Sequence, residues 1–152
     1  MSQSTISEII DFAIAREEEA VNFYRELQGI SRFQEITTLL AELEVMEKGH
    51  ITILQDLRLQ GLKDSDFKEQ KIASLKIADY LVAAPPAPDM SYQDVLILAM
   101  KREQAAVDLY RQLAEQAASE NDRRVFSRLA AEESKHKLRF EEIYDREILK
   151  DN

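Results

Sequence analysis

Six side chains capable of binding metal ions stand at matching positions in the two halves of this chain. Each half contributes one Glu-x-x-His pair and one further glutamate to this set, and the matching positions are 86 residues apart. The six are Glu17, Glu47, His50, Glu103, Glu133 and His136. Carboxylate oxygens with a few imidazole nitrogens are ligands that suit iron and manganese better than tetrahedral zinc.

All six residues fall on the apolar stripe of a predicted helix. Around Glu47 and His50 the stripe steps by three or four residues, as the buried face of a bundle helix does. Its members are Phe33, Ile36, Leu40, Leu43, Glu47, His50, Leu54 and Leu57. The acid and the imidazole therefore take two consecutive core positions, and the other four residues occupy equivalent places on their own stripes.

The internal repeat extends beyond these residues. "REEEAVNFYREL" at 16–27 and "REQAAVDLYRQL" at 102–113 are identical at seven of twelve positions. Glu17 and Glu47 are 30 residues apart, and so are Glu103 and Glu133. The midpoint of each interval falls at a predicted turn, so each hairpin places its lone glutamate level with its Glu-x-x-His pair.

Four long helices are predicted, over residues 5–28, 33–60, 91–119 and 121–150. Thr5 or Ser4 is a plausible N-cap of the first and Ser91 of the third, while Gly29 and Gly61 are stop signals. The repeat units are 5–60 and 91–146, and a long crossover over 61–90 separates them. Its middle, 67–82, is a candidate short helix, and 84–89 ("APPAPD") is expected to be extended. We therefore expect one all-α domain over 1–152, a four-helix bundle with a long crossover.

Buried carboxylates have to be neutralised. Each one without a partner costs several kcal/mol, and four together repel one another. Two divalent cations would balance four carboxylates, with one imidazole for each ion. Such a centre has incomplete coordination and carries out two-electron chemistry with O₂ or peroxide.

The sequence resembles the ferritin-like superfamily, most closely the rubrerythrin-type di-iron carboxylate domains. The motif E-x-x-A-x-x-x-Y occurs on the first and third helices, and E-x-x-H on the second and fourth. The resemblance implies two iron ions per chain, with manganese as an alternative. It also implies a non-haem oxidoreductase that reacts with hydrogen peroxide or O₂, in the manner of a peroxidase or ferroxidase.

Two features depart from the usual rubrerythrin pattern. Rubrerythrins usually carry a cysteine-rich rubredoxin module, whereas this chain has no cysteine, so an external electron-donor protein is expected. They also carry an additional glutamate three residues after the third-helix ligand, where this chain has Ala106. That change argues against a carboxylate/histidine ligand switch.

Tyr24 and Tyr110, two turns after Glu17 and Glu103, have two interpretations. They are aromatic core residues with a satisfied hydroxyl, or they act in the reaction by hydrogen bonding to a ligand carboxylate or by relaying electrons. Of the other acids, Glu44 is expected to be solvated or to lie beside the ligands. Glu18, Glu19 and Glu132 are expected at the surface.

Two further features have alternative explanations. Gly49 lies inside the second helix, where it costs about 1 kcal/mol of helix propensity, and close packing of a neighbouring helix is one reason for a glycine there. Four apolar residues off the main stripes form a wide core edge or a subunit interface, and we expect a homodimer; they are Phe12, Val21, Phe23 and Ile53.

The net charge of −9 argues against a nucleic-acid partner. No apolar run is long enough to cross a membrane and no signal peptide is evident, so a cytoplasmic location is expected. Two other functions remain open. One is ferritin-like iron storage or handling with ferroxidase activity, and the other is a structural or partner-binding bundle without metal.

Overall fold

The computed structural model describes residues 5–68 and 90–149. Four α-helices dominate it: α1 Ile6–Gln28, α2 Thr37–Leu59, α3 Tyr92–Gln116 and α4 Glu120–Tyr144. The predicted all-α four-helix bundle is confirmed, and the described residues contain no β-strand beyond one isolated bridge. None of the described helices is long and apolar enough to span a membrane.

Local sequence explains where the helices begin and end. Thr5, Ser91 and Ser119 cap α1, α3 and α4 by accepting a hydrogen bond from the backbone N–H three residues later. At the end of α2, Gly61 has a φ of +87°, and the N–H of Leu62 donates to the carbonyl of Leu57. This is a Schellman motif, which requires a residue that tolerates the left-handed region.

Several predicted boundaries were wrong. The second helix was expected from residue 33, but a 3₁₀ segment, Ser31–Ile36, precedes α2 and buries Phe33 and Ile36. The third ends at Gln116 rather than 119 because Ala117 is extended. The fourth passes into a π-helical turn, Asp145–Leu149.

The long crossover joins opposite ends of the bundle. Its first residues run beside the α3–α4 turn, where the N–H of Lys68 donates to the carbonyl of Gln116 at 2.8 Å. Its far end leads into α3 at Tyr92, whose ring lies 5.6 Å from that of Phe33 near the α1–α2 turn. Phe67 is extended, so the predicted helix does not begin there. The rest of that helix and all of 84–89 lie outside the described residues.

The two hairpins, α1–α2 and α3–α4, enclose two apolar clusters. One cluster, near the start of α1, includes Ile10, Leu54 and Phe126. The other, near the α1–α2 turn, includes Phe33 and Phe140. The buried glutamates and histidines of the core lie at mid-helix between these clusters, so apolar packing above and below them limits their contact with water.

Two of the off-stripe apolar residues belong to the core of the chain itself, since Val21 and Phe23 are buried. Phe12 and Ile53 are partly buried and pack against the first cluster. All four therefore pack within the chain, and Phe12 and Ile53 keep part of their surface exposed.

Gly49 faces solvent, and a Cβ added to it would meet no atom within 4 Å among the described residues. The structure therefore gives no close-packing reason for glycine at this position. Gly49→Ala should raise the free energy of unfolding by about 0.5–1 kcal/mol, because alanine loses less backbone entropy in a helix. Urea unfolding of the metal-free protein measures this change. A destabilised variant would contradict the absence of a steric constraint.

Candidate metal centre

The bundle brings all six predicted side chains together at mid-height. α1 and α3 each contribute one glutamate, while α2 and α4 each contribute a glutamate and a histidine one turn apart. Every one of them is buried, with at most 5% of its surface exposed: Glu17, Glu47, His50, Glu103, Glu133 and His136.

These residues form two groups of four that share two members. The first group is Glu17, Glu47, His50 and Glu133, and the second is Glu47, Glu103, Glu133 and His136. Within each group the ligand atoms lie within 4.8 Å of one another. Glu47 and Glu133 belong to both groups, as carboxylates that bridge two ions would.

Both imidazoles point Nδ1 into the carboxylates. His50 Nδ1 lies 3.1 Å from Glu133 Oε1 and 3.3 Å from Glu17 Oε2. His136 Nδ1 lies 3.2 Å from Glu47 Oε1 and 3.3 Å from Glu133 Oε1. The two rings are nearly parallel, at 14°, with centroids 6.2 Å apart. His50 therefore belongs to the first group and His136 to the second.

The converging atoms do not satisfy one another. Each of the six residues has one buried oxygen or nitrogen that makes no hydrogen bond: Glu17 Oε2, Glu47 Oε1, His50 Nδ1, Glu103 Oε2, Glu133 Oε1 and His136 Nδ1. A buried polar atom without a partner costs about 1–3 kcal/mol, and charged atoms cost more. Cations at the centre of each group would satisfy all six, so the donor set fits two metal ions.

Electrostatics make the metal-free cluster hold protons. Burial, reinforced by the neighbouring carboxylates, raises the pKa of Glu47 and of Glu133 well above the usual value. Burial acts to lower the pKa of His50 and His136, but the facing carboxylates outweigh it and raise each to about 9. Metal ions must therefore displace protons in order to bind.

The two tyrosines form hydrogen bonds between the hairpins. Tyr24 on α1 donates a hydrogen bond to Glu103 Oε1 on α3, and Tyr110 on α3 donates to Glu17 Oε1 on α1, at 2.9 Å. Burial raises the pKa of both hydroxyls well above the usual value, so they remain protonated donors. Each tyrosine thus orients the glutamate that belongs to only one group.

Glu132 makes a contact that its position in the helical pattern does not predict. It was expected at the surface, yet its side chain is only 17% exposed. Its Oε1 lies 3.0 Å from His50 Nε2, and its Oε2 accepts a hydrogen bond from Arg128 at 2.8 Å. The helical pattern places Glu132 off the buried stripe, and nothing in the pattern shows that α2 approaches that side of α4.

The other acids stay outside the cluster. Glu44 interacts with Lys48 at 2.8 Å and Gln28 at 2.9 Å, and these contacts lower its pKa to about 2. Glu18 is exposed, and Glu19 pairs with Arg16. As expected, none of the three is a candidate ligand.

A cavity of about 40 Å³ lies between α1 and α3, against the cluster. Its lining includes the four cluster glutamates, the methyl groups of Ala20 and Ala106, and the partly exposed Arg16 and Arg102. One water needs roughly 10–15 Å³ by this measure, so the cavity holds only a few atoms beside the ligands.

Comparison with known proteins identifies the family. The family model for rubrerythrin matches residues 8–89 and 94–151. The chain belongs to the rubrerythrin family. Searches of curated proteins and of solved structures gave no match. Membership in the rubrerythrin family and the buried Glu/His cluster together fit a di-iron site.

Within this rubrerythrin-family site, Ala106 lines the cavity where the family resemblance leads us to expect a further glutamate. A methyl group there offers no oxygen to a metal ion. The two groups of four therefore contain all the candidate ligands that the described residues supply.

Raising the pH should destabilise the metal-free protein. Glu47, Glu133, His50 and His136 have higher pKa values in the folded chain than their ordinary values. Such groups stabilise the fold at low pH and lose that contribution as the pH rises, for the histidines between about 6.5 and 9. Urea unfolding of chelator-treated protein should give a lower free energy at pH 9 than at pH 6. The double variant His50→Gln, His136→Gln should show a shallower dependence, and stability that rises over this interval would contradict the assignment.

Proposed function

We propose that this protein is a non-haem di-iron oxidoreductase that reduces hydrogen peroxide, or more slowly O₂, with electrons from an external donor protein. The observation that carries the proposal is the pair of ligand groups sharing Glu47 and Glu133. Two metal ions held by these groups would supply two electrons at one place. The reduction of one peroxide to two waters needs two electrons and two protons.

In this proposal each residue has a defined task. Glu17 and His50 would hold one ion, Glu103 and His136 would hold the other, and Glu47 and Glu133 would be shared between the two. Tyr24 and Tyr110 keep the glutamates on α1 and α3 oriented through their hydrogen bonds. Oxygen ligands with one nitrogen for each ion suit iron, and manganese is the alternative.

The volume and position of the cavity favour a small oxidant as the substrate. It reaches the cluster glutamates directly, and its volume of about 40 Å³ suits a molecule of a few atoms rather than a larger organic substrate. Arg16 and Arg102 line it on the partly exposed side. Their positive charges offset part of the negative field of the carboxylates along the path of entry.

Metal stoichiometry tests the ligand assignment. Anaerobic titration with Fe²⁺ should saturate near two ions per chain, and Glu47→Ala with Glu133→Ala should abolish this binding because both ions lose their bridging ligands. Glu44→Ala is the matched control, since Glu44 lies on α2 but contacts only solvent-side residues. Unchanged stoichiometry in the double variant would overturn the assignment.

Oxidation of the loaded protein tests the reaction. Stopped-flow absorption should show that one peroxide oxidises two bound Fe²⁺ ions, faster than air-saturated buffer does. A reductant should then restore the ferrous state for further turnovers. Oxidation no faster than that of free Fe²⁺ would contradict the proposal.

Iron storage would use the same ferroxidase step but requires a hollow shell of many subunits. Sedimentation measures the assembly mass. We propose a homodimer, so a dimeric mass supports the oxidoreductase. A particle of many subunits that retains mineral iron would favour storage.

A further inference from the structure

We propose that Glu132 is a positioning residue that makes the two metal positions unequal. Through its contact with His50, it makes the position formed by Glu17 and His50 bind a divalent ion more tightly than the position formed by Glu103 and His136. This inference rests on the proposed di-metal function and goes beyond it, because it assigns an order of filling.

The contact fixes which nitrogen of His50 is available to a metal. A neutral imidazole has one N–H donor and one lone pair. In the neutral ring that a metal ion requires, Glu132 Oε1, 3.0 Å from Nε2, accepts that hydrogen, so the lone pair lies on Nδ1, the atom that points into the cluster without a hydrogen bond. The Arg128 guanidinium holds the other oxygen of Glu132 at 2.8 Å, so the carboxylate is itself fixed.

His136 has no such support. The offset of 86 that relates the two halves pairs Glu132 with Met46, which has no acidic oxygen. His136 makes its polar contacts through Nδ1, and no side chain in the described part of the chain pairs with its Nε2. Among the described residues, the ring of His136 is therefore oriented by packing and by its Nδ1 contacts alone.

This difference should appear as affinity. A carboxylate that accepts the second N–H of a metal-bound histidine fixes the ring and raises its basicity, and removing it typically weakens metal binding about 10–100-fold. Both positions combine three glutamates, one histidine and one tyrosine that donates to a glutamate. Glu132 is therefore a difference in hydrogen bonding between them, and it favours the His50 position.

Mn²⁺ is the probe, because it is stable in air and visible by anomalous X-ray scattering. Crystals of the metal-stripped full chain, given one equivalent of Mn²⁺, should show most of the anomalous density beside His50. Calorimetry in solution should give two unequal steps. Glu132→Ala should weaken the tighter step about 10–100-fold, leave the weaker step nearly unchanged and remove the preference in the crystal.

Met46→Ala is the matched control at the equivalent position of the other half, and it should change neither step. Both side chains are partly exposed, and circular dichroism checks that both variants fold. Equal Mn²⁺ occupancy of the two positions in the wild-type crystal would overturn the inference. So would an equal effect of the two variants on Mn²⁺ affinity. Either result would leave the di-metal function intact. A chain that binds no Mn²⁺ or Fe²⁺ would overturn both.

Discussion

Mutual repulsion among four buried carboxylates is the constraint around which this bundle is organised. Burial and the neighbouring carboxylates disfavour the charges of Glu47 and Glu133, so the cluster has to hold protons or cations. The apolar clusters at either end limit contact with water, so solvent stabilises these charges little. The free-energy cost of burying the carboxylates falls at mid-bundle, where all four helices can contribute a ligand. Cations bound there would replace the repulsion between carboxylates with attraction.

Neither hairpin completes a group of four ligands with its own residues, and each contributes a glutamate to the group of the other. Glu133 reaches the His50 group and Glu47 reaches the His136 group, while the tyrosines bind glutamates of the opposite hairpin. The turns differ, since a 3₁₀ segment joins α1 to α2 and three residues join α3 to α4. The 30-residue spacing between glutamates is nevertheless the same in both hairpins, so the ligands remain level.

Much of this arrangement was predictable from the sequence because two periodicities coincide. The stripe of three- and four-residue steps shows which face is buried, and the repeat shows that Glu47 and His50 have equivalents. What could not be predicted depends on the rotation and proximity of helices that are distant in sequence. Glu132 lies off the stripe, and only the approach of α2 to α4 makes it a neighbour of His50. Tyr24 and Tyr110 kept two interpretations for the same reason, since their partners lie on another helix.

The sharing of ligands between the hairpins also affects how the two halves of such a chain can diverge in sequence. A half-length hairpin with these residues would lack a complete set of ligands and would have to associate with an identical copy. In that pair every substitution would appear twice, and the two metal positions would remain equivalent by symmetry. Covalent fusion of the halves removes this requirement, so that Glu132 can stand on one side while Met46 stands on the other. A duplicated and fused gene can therefore encode two chemically distinct ions in one bundle, which a symmetric dimer of hairpins cannot.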